Sequence, residues 1–161
     1  ITSNDFSKAF NSENFDKNNP NSVDWRTAEV PSANGHGTAR SLSKLFGTLS
    51  NLIEDNESII DKDVLKTAIE VHSSGPDTVL FGANLNFGYC FMVEQSFNRN
   101  INFAPILNTQ CYGHAGIGGS VAFGDLKNKI GYSFVCNRQQ KMKDLYKTSN
   151  LITKALYEIL D

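Results

Sequence analysis

Residues 111–123 read CYGHAGIGGSVAF: four glycines fall within residues 113–119, around His114, and an apolar run comes next. Glycines this dense let a backbone approach a neighbour or a ligand closely. Two phosphate-binding readings fail here. GIGGSV lacks the last glycine of the dinucleotide fingerprint, and nothing resembles the Gly-Lys-Ser/Thr ending of a triphosphate loop. The stretch after the glycines is strand-like, so no helix N-terminus stands ready for an anion. A glycine-lined strand edge instead presents backbone N–H groups without obstruction, as an oxyanion site for acyl transfer requires. His114, beside it, can donate a hydrogen bond or help move a proton. A glycine-rich bend with a packed histidine is the alternative on spacing alone.

Working outward, 130–137 (IGYSFVCN) and 87–95 (FGYCFMVEQ) are rich in aromatic and β-branched residues and are expected to be strands, as is 119–125 (GSVAFGD). The short LKNK link at 126–129 suits an antiparallel hairpin. Upstream, Thr38 can cap a helix whose Ala39, Leu42, Leu45, Phe46, Leu49, Leu52 and Ile53 form one apolar face. A second helix is expected to start at Asp61. Ile60 and Leu65 would form a hydrophobic staple there, with Val64, Leu65, Ala68 and Ile69 inward. SSGPDT at 73–78 has turn composition. Leu151, Ile152, Ala155, Leu156, Ile159 and Leu160 predict a closing helix that packs through its apolar residues. Helices, then an antiparallel sheet, then a packing helix make an α+β domain. Residues 1–23 are expected to be a polar, irregular segment, with Trp25 anchoring irregular chain up to 30, and 24–161 to be a single domain.

The chain has 161 residues, enough for one core, and a net charge of −2 with no basic stripe, so no nucleic-acid partner is expected. No apolar run is long enough for a membrane span, and the polar, Asn-rich start lacks a signal peptide's apolar core. Cys90, Cys111 and Cys136 are expected to be buried free thiols in a reducing, cytoplasmic compartment. Their spacing fits no zinc pattern, the three histidines form no local ligand set, and neither metal nor cofactor is expected. His72 is expected to meet the carbonyls at a helix end, His36 to steady the PSANGHG loop, and Arg40 to make fixed contacts.

Three ordered stretches carry a resemblance. WRTAEVPSANGHGTARSLSKLFGTL (25–49), FGYCFMVE (87–94) and YGHAGIGGSVAFGDLKNKIGYSFVCNR (112–138) resemble serine β-lactamase-like hydrolases, the branch related to class C β-lactamases, esterases and penicillin-binding proteins. The resemblance covers about residues 24–161 and implies the C-terminal portion of a β-lactamase/transpeptidase-like fold. It also implies acyl transfer through a serine ester, with ester, amide or lactam substrates. That family's third motif, Lys-Thr-Gly or His-x-Gly on a strand lining the cleft, matches His114-Ala115-Gly116. By resemblance His114 sits on the substrate side, and the Ile117 backbone N–H donates to the oxyanion. Ala115, Gly116, Gly118 and Gly119 would border substrate.

Members of the family are more than twice as long and carry a Ser-x-x-Lys nucleophile motif and a Tyr-x-Asn motif. No tyrosine here has Asn two residues on, and the sole Ser-x-x-Lys, Ser41 to Lys44, lies in the helix after NGHGTAR, a different element in the family. The expectation is an incomplete hydrolase, inactive alone, that self-associates through an open sheet edge or binds its missing N-terminal half. A non-enzymatic binding or assembly module on the same scaffold is the alternative.

Overall fold

A computed structural model describes residues 20–51, 59–80, 82–93, 110–141 and 144–160. The chain divides into two compact units. One comprises residues up to Gly37 with Pro76–Asn84; the other comprises Thr38–Gly75 with Leu85–Asp161. In the first, a short helix α1 (Val23–Thr27) is capped by Ser22, whose Oγ accepts from the Trp25 amide at 3.1 Å. A short helix therefore stands where irregular chain was expected. Asn34 braces the loop behind it, donating through Nδ2 to the carbonyls of Trp25 and Ala28 while Oδ1 accepts from the Val30 amide.

The second unit opens with helix α2 (Ala39–Asn51), and Thr38 caps it as expected, its Oγ1 accepting from the Ser41 amide. Helix α3 (Lys62–Ile69) starts at Asp61, whose carboxylate takes the amides of Asp63 and Val64. Leu65 is fully buried with Ile60 packed on the same core, the arrangement a staple requires. Val64, expected inward, is 59% exposed.

Strands β1 (Ser73–Asp77), β2 (Ala83–Phe87), β3 (Met92–Val93), β4 (Cys111–Ala115), β5 (Val121–Asp125) and β6 (Ile130–Phe134) form one sheet in chain order. The pairings from β2 to β6 are antiparallel. Residues 73–77 are thus an edge strand rather than a turn; Pro76 is tolerated because an edge leaves one row of backbone donors unused. The stretch 87–95 is not one strand. Gly88 donates to the Phe91 carbonyl, Cys90 adopts φ 64°, and the Tyr89 amide reaches Ala68 O at the end of α3. Aromatic composition suggested a strand; docking of this turn on α3 overrode it. Cys90 is consequently exposed, whereas Cys111 is buried and Cys136 half-buried.

Helix α4 (Lys147–Leu160) closes the described chain. Strand β5 is buried at every residue, because its two faces have separate partners. Gly124 faces Ser50 of α2, and Asp125 accepts from Tyr157 of α4 at 2.6 Å. The α2 face holds an aromatic cluster in which Tyr112 meets Phe91 edge-on (ring centroids 5.3 Å apart) and Phe46 at 5.9 Å. Helix α2 comes closest to β6 at Gly131, where a Cβ would lie 2.1 Å from the Gly47 nitrogen and from the Ser43 carbonyl oxygen. Glycine is required at that crossing.

Helix α4 reverses the expected polarity. Its buried residues are Ser149 and Thr153, while Leu151, Ile152, Ile159 and Leu160 are exposed. Both buried side chains are small and carry a hydroxyl. Their hydroxyls donate back to Tyr146 O (3.0 Å) and Ser149 O (2.8 Å), so burial leaves neither unsatisfied.

Candidate functional site

Strand β4 was not expected from its own composition. It pairs with β5 over its whole length, from Cys111 opposite Asp125 to Ala115 opposite Val121. Side chains alternate along it: Cys111 reaches Tyr157 of α4, and Tyr112 reaches Ser50 of α2. His114, two residues beyond Tyr112, projects from the α2 face. It lies near the end of the strand, exposed, with its ring 6.4 Å from that of Phe87. His114 Nδ1 lies 2.9 Å from Ala115 O. A carbonyl only accepts, so Nδ1 carries a proton, and Nε2 is the atom left for other partners.

Past Ala115 the chain turns tightly. The Gly116 amide donates to Ser120 O at 2.8 Å, and the Gly119 amide returns to Gly116 O at 2.9 Å. That hydrogen bond makes residues 116–119 a β-turn, closed by Gly119 at φ 100°, a conformation L side chains rarely adopt. The turn is also held from behind: Tyr146 Oη donates to Gly116 O at 2.8 Å, and the Gln140 amide donates to Gly118 O at 2.9 Å. Ser120 Oγ accepts from the Cys136 amide at 3.1 Å, and Cys136 Sγ lies 3.4 Å from Gly118 O. Burial pushes the Tyr146 phenol up to about 12, with the Cys136 thiol adding to the shift, so the hydroxyl remains a donor at neutral pH.

Ile117 occupies the turn tip and is 40% exposed. Among the described residues no acceptor meets its N–H or that of Gly118. The structure thus brings His114, Ala115, Gly116, Ile117, Gly118 and Gly119 into one hairpin end that presents an imidazole and unspent amides. A Cβ at Gly119 would lie 2.6 Å from Gln140 Cγ, and one at Gly118 3.2 Å from Gln139 Cγ, so the turn packs tightly against these two side chains.

The other polar candidates lie elsewhere. Ser41 Oγ donates to Thr38 O at 2.9 Å and is part of a helix cap. His36 Nδ1 donates to Asn34 O at 2.7 Å and steadies its loop. His72 Nε2 donates to Thr67 O at 2.7 Å, the helix-end contact expected, and its ring stacks on Tyr89. Among the described residues no three His, Cys, Asp or Glu side chains gather where a metal ion could sit. None of the described helices is long and apolar enough to cross a membrane. Tyr146, Cys136 and Gln140, which hold the turn, were not found from sequence. They lie 16 to 30 residues from their partners, and no local pattern marks such a contact.

An antiparallel sheet with helices on both faces, ending in a histidine-glycine hairpin turn, defines an α+β class. The model of the beta-lactamase family matches residues 7–156, and the chain belongs to that family. It is 29% identical over 113 residues to the Esterase/beta-lactamase LipL of Mycobacterium tuberculosis (strain ATCC 25618 / H37Rv), covering 69% of this chain and 24% of that protein. The structure of a penicillin-binding protein homolog from Caulobacter crescentus matches with a TM-score of 0.62 at 34% identity, over 73% of this chain and 30% of that one. A family VIII carboxylesterase matches with a TM-score of 0.63 at 28% identity, over 75% and 31%. EstA from Arthrobacter nitroguajacolicus Rue61a, at 20% identity, shares the fold with a TM-score of 0.67, over 88% and 38%. The chain therefore spans about a quarter to two-fifths of the length of these relatives.

Proposed function

We propose that this chain forms the oxyanion-side wall of a β-lactamase-like serine hydrolase acting on ester, amide or lactam substrates, with the nucleophile supplied from outside these 161 residues. The observation that carries the reading is the Ile117 N–H at an exposed turn tip beside His114, in the position of the family's His-x-Gly motif. A serine Oγ attacks the substrate carbonyl carbon, and the oxygen that gains negative charge accepts from the Ile117 amide. Collapse breaks the bond to the leaving oxygen or nitrogen, which takes up the proton the serine hydroxyl lost, and water then cleaves the acyl-serine ester to the acid and restores the serine. His114 Nε2 hydrogen-bonds substrate, and the backbone of Ala115, Gly116, Gly118 and Gly119 borders it.

Ser41 is committed to a helix cap, and Lys44 shares its helix, so the chain alone is expected to release no chromophore from nitrocefin or p-nitrophenyl butyrate above the buffer rate. Turnover by the purified chain that disappears in Ser41→Ala overturns this. Joined behind the N-terminal portion of the matched carboxylesterase, the chain is expected to hydrolyse the ester, and His114→Ala to reduce that rate. The exposed Leu151, Ile152, Ile159 and Leu160 of α4 favour a partner as well: a second copy or the complementary segment. A clean monomer by light scattering, with no dye-binding apolar surface, counts against it.

A further inference from the structure

We propose that Tyr146 is a positioning residue for the oxyanion donor, holding the Ile117 N–H in place through the other end of the same peptide group. This inference rests on the acyl-transfer reading of the turn and adds to it a residue that lies outside the motif.

The geometry is that of one planar unit. The Gly116 carbonyl and the Ile117 N–H belong to a single trans peptide, so they point in opposite directions and turn together. The carbonyl accepts two hydrogen bonds, from the Tyr146 hydroxyl at 2.8 Å and from the Gly119 amide at 2.9 Å. The second comes from within the turn and moves with it. Only the first ties the peptide to a distant, fixed element: Tyr146 is 4% exposed and immediately precedes α4. A carbonyl pinned toward Tyr146 aims its partner N–H away from Tyr146, outward from the turn. An amide that must lie about 3 Å from a developing oxyanion gains from such anchoring, because a donor oriented beforehand need not reorganise as charge appears. Tyr146 itself sits at φ 62°, a left-handed conformation costly for a bulky residue. The buried phenol keeps its proton well past neutral pH, as the donor role demands.

The test removes one oxygen. In the ¹⁵N-labelled chain, the Ile117 amide is expected to be as rigid as the β4 amides, with an order parameter near ~0.85, and yet to exchange quickly with solvent. In Tyr146→Phe the Ile117 order parameter is expected to fall toward ~0.6 while β4, β5 and α4 keep theirs. A role limited to stabilising the fold would instead lower the melting temperature and leave the Ile117 vector unchanged. If Tyr146→Phe fails to fold, the wild-type relaxation data decide: a mobile Ile117 amide overturns the proposal. In the carboxylesterase fusion, Tyr146→Phe is expected to lower kcat about tenfold with KM little changed, since the contact acts in the transition state. An unchanged Ile117 amide in a fusion whose hydrolysis depends on His114 sinks the Tyr146 assignment alone. A loosened amide in a fusion indifferent to both substitutions, or never active, sinks the acyl-transfer reading and takes the catalytic role of Tyr146 with it.

Discussion

Helices α2 and α4 lie on opposite faces of the same strands and use opposite chemistry to do so. Helix α2 buries Phe46 and Leu49 and closes on β6 through Gly47 and Gly131. Helix α4 buries Ser149 and Thr153 and leaves Ile159 82% exposed. Both sequences have helical apolar spacing, yet only in α2 does the apolar side face the sheet. Periodicity reports that a helix has two sides; which one meets a given neighbour depends on how near the backbones come and on what else covers the helix.

The largest test of that contrast is at the α2 crossing. Gly131→Val places carbon inside the Gly47 and Ser43 backbone, and about 4 kcal/mol or more of stability is expected to go, read as a shifted urea midpoint or as failure to fold. Next comes Leu49→Ala, which empties a site that is 6% exposed and is expected to cost about 3 kcal/mol in the same melt.

Alkaline titration probes both faces through their tyrosines. Burial raises Tyr112 and Tyr146 from 10.0 to about 12, so the folded chain keeps protons that the unfolded chain releases. Their contribution is complete below pH 10 and lost as pH climbs toward 12. Ellipticity is expected to collapse in that window, at higher pH for Tyr112→Phe. The smallest effect belongs to α4: in the chain diluted until no partner is bound, Ile159→Ser is expected to change stability by less than ~0.5 kcal/mol. A loss as large as that of Leu49→Ala would mean that the outward side of α4 is covered in solution, and the contrast between the helices would disappear.

Much of the fold was legible in the sequence, for reasons that can be named. Thr38, Asp61 and the Ile60–Leu65 staple act over a few residues, so their helix starts are written locally. LKNK marks the β5–β6 hairpin because Asp125 next to it accepts the Lys127 and Asn128 amides, a short-range turn device. Composition did not mark strand β4, which only the resemblance placed, and it misread 87–95 as one strand, because both depend on what packs against them: β5 in one case, the end of α3 in the other. At the site, His114 and the glycines were visible as a motif. Tyr146 was not, since a phenol reaching a carbonyl 30 residues away leaves no trace in spacing.

The Asp125 carboxylate has a further consequence. Oδ1 takes two backbone amides, and Oδ2 takes Asn128 Nδ2 and the Tyr157 hydroxyl, which also lies 3.4 Å from Cys111 Sγ. Tyrosines 146 and 157 therefore bolt the closing helix to both ends of one hairpin. Eleven helical steps of about 1.5 Å span about 16 Å, and the five extended steps from Cys111 to Gly116 span about 17 Å. The rod and the ribbon are cut to the same length, so one residue added to the helix would swing its far bolt about 100° out of line.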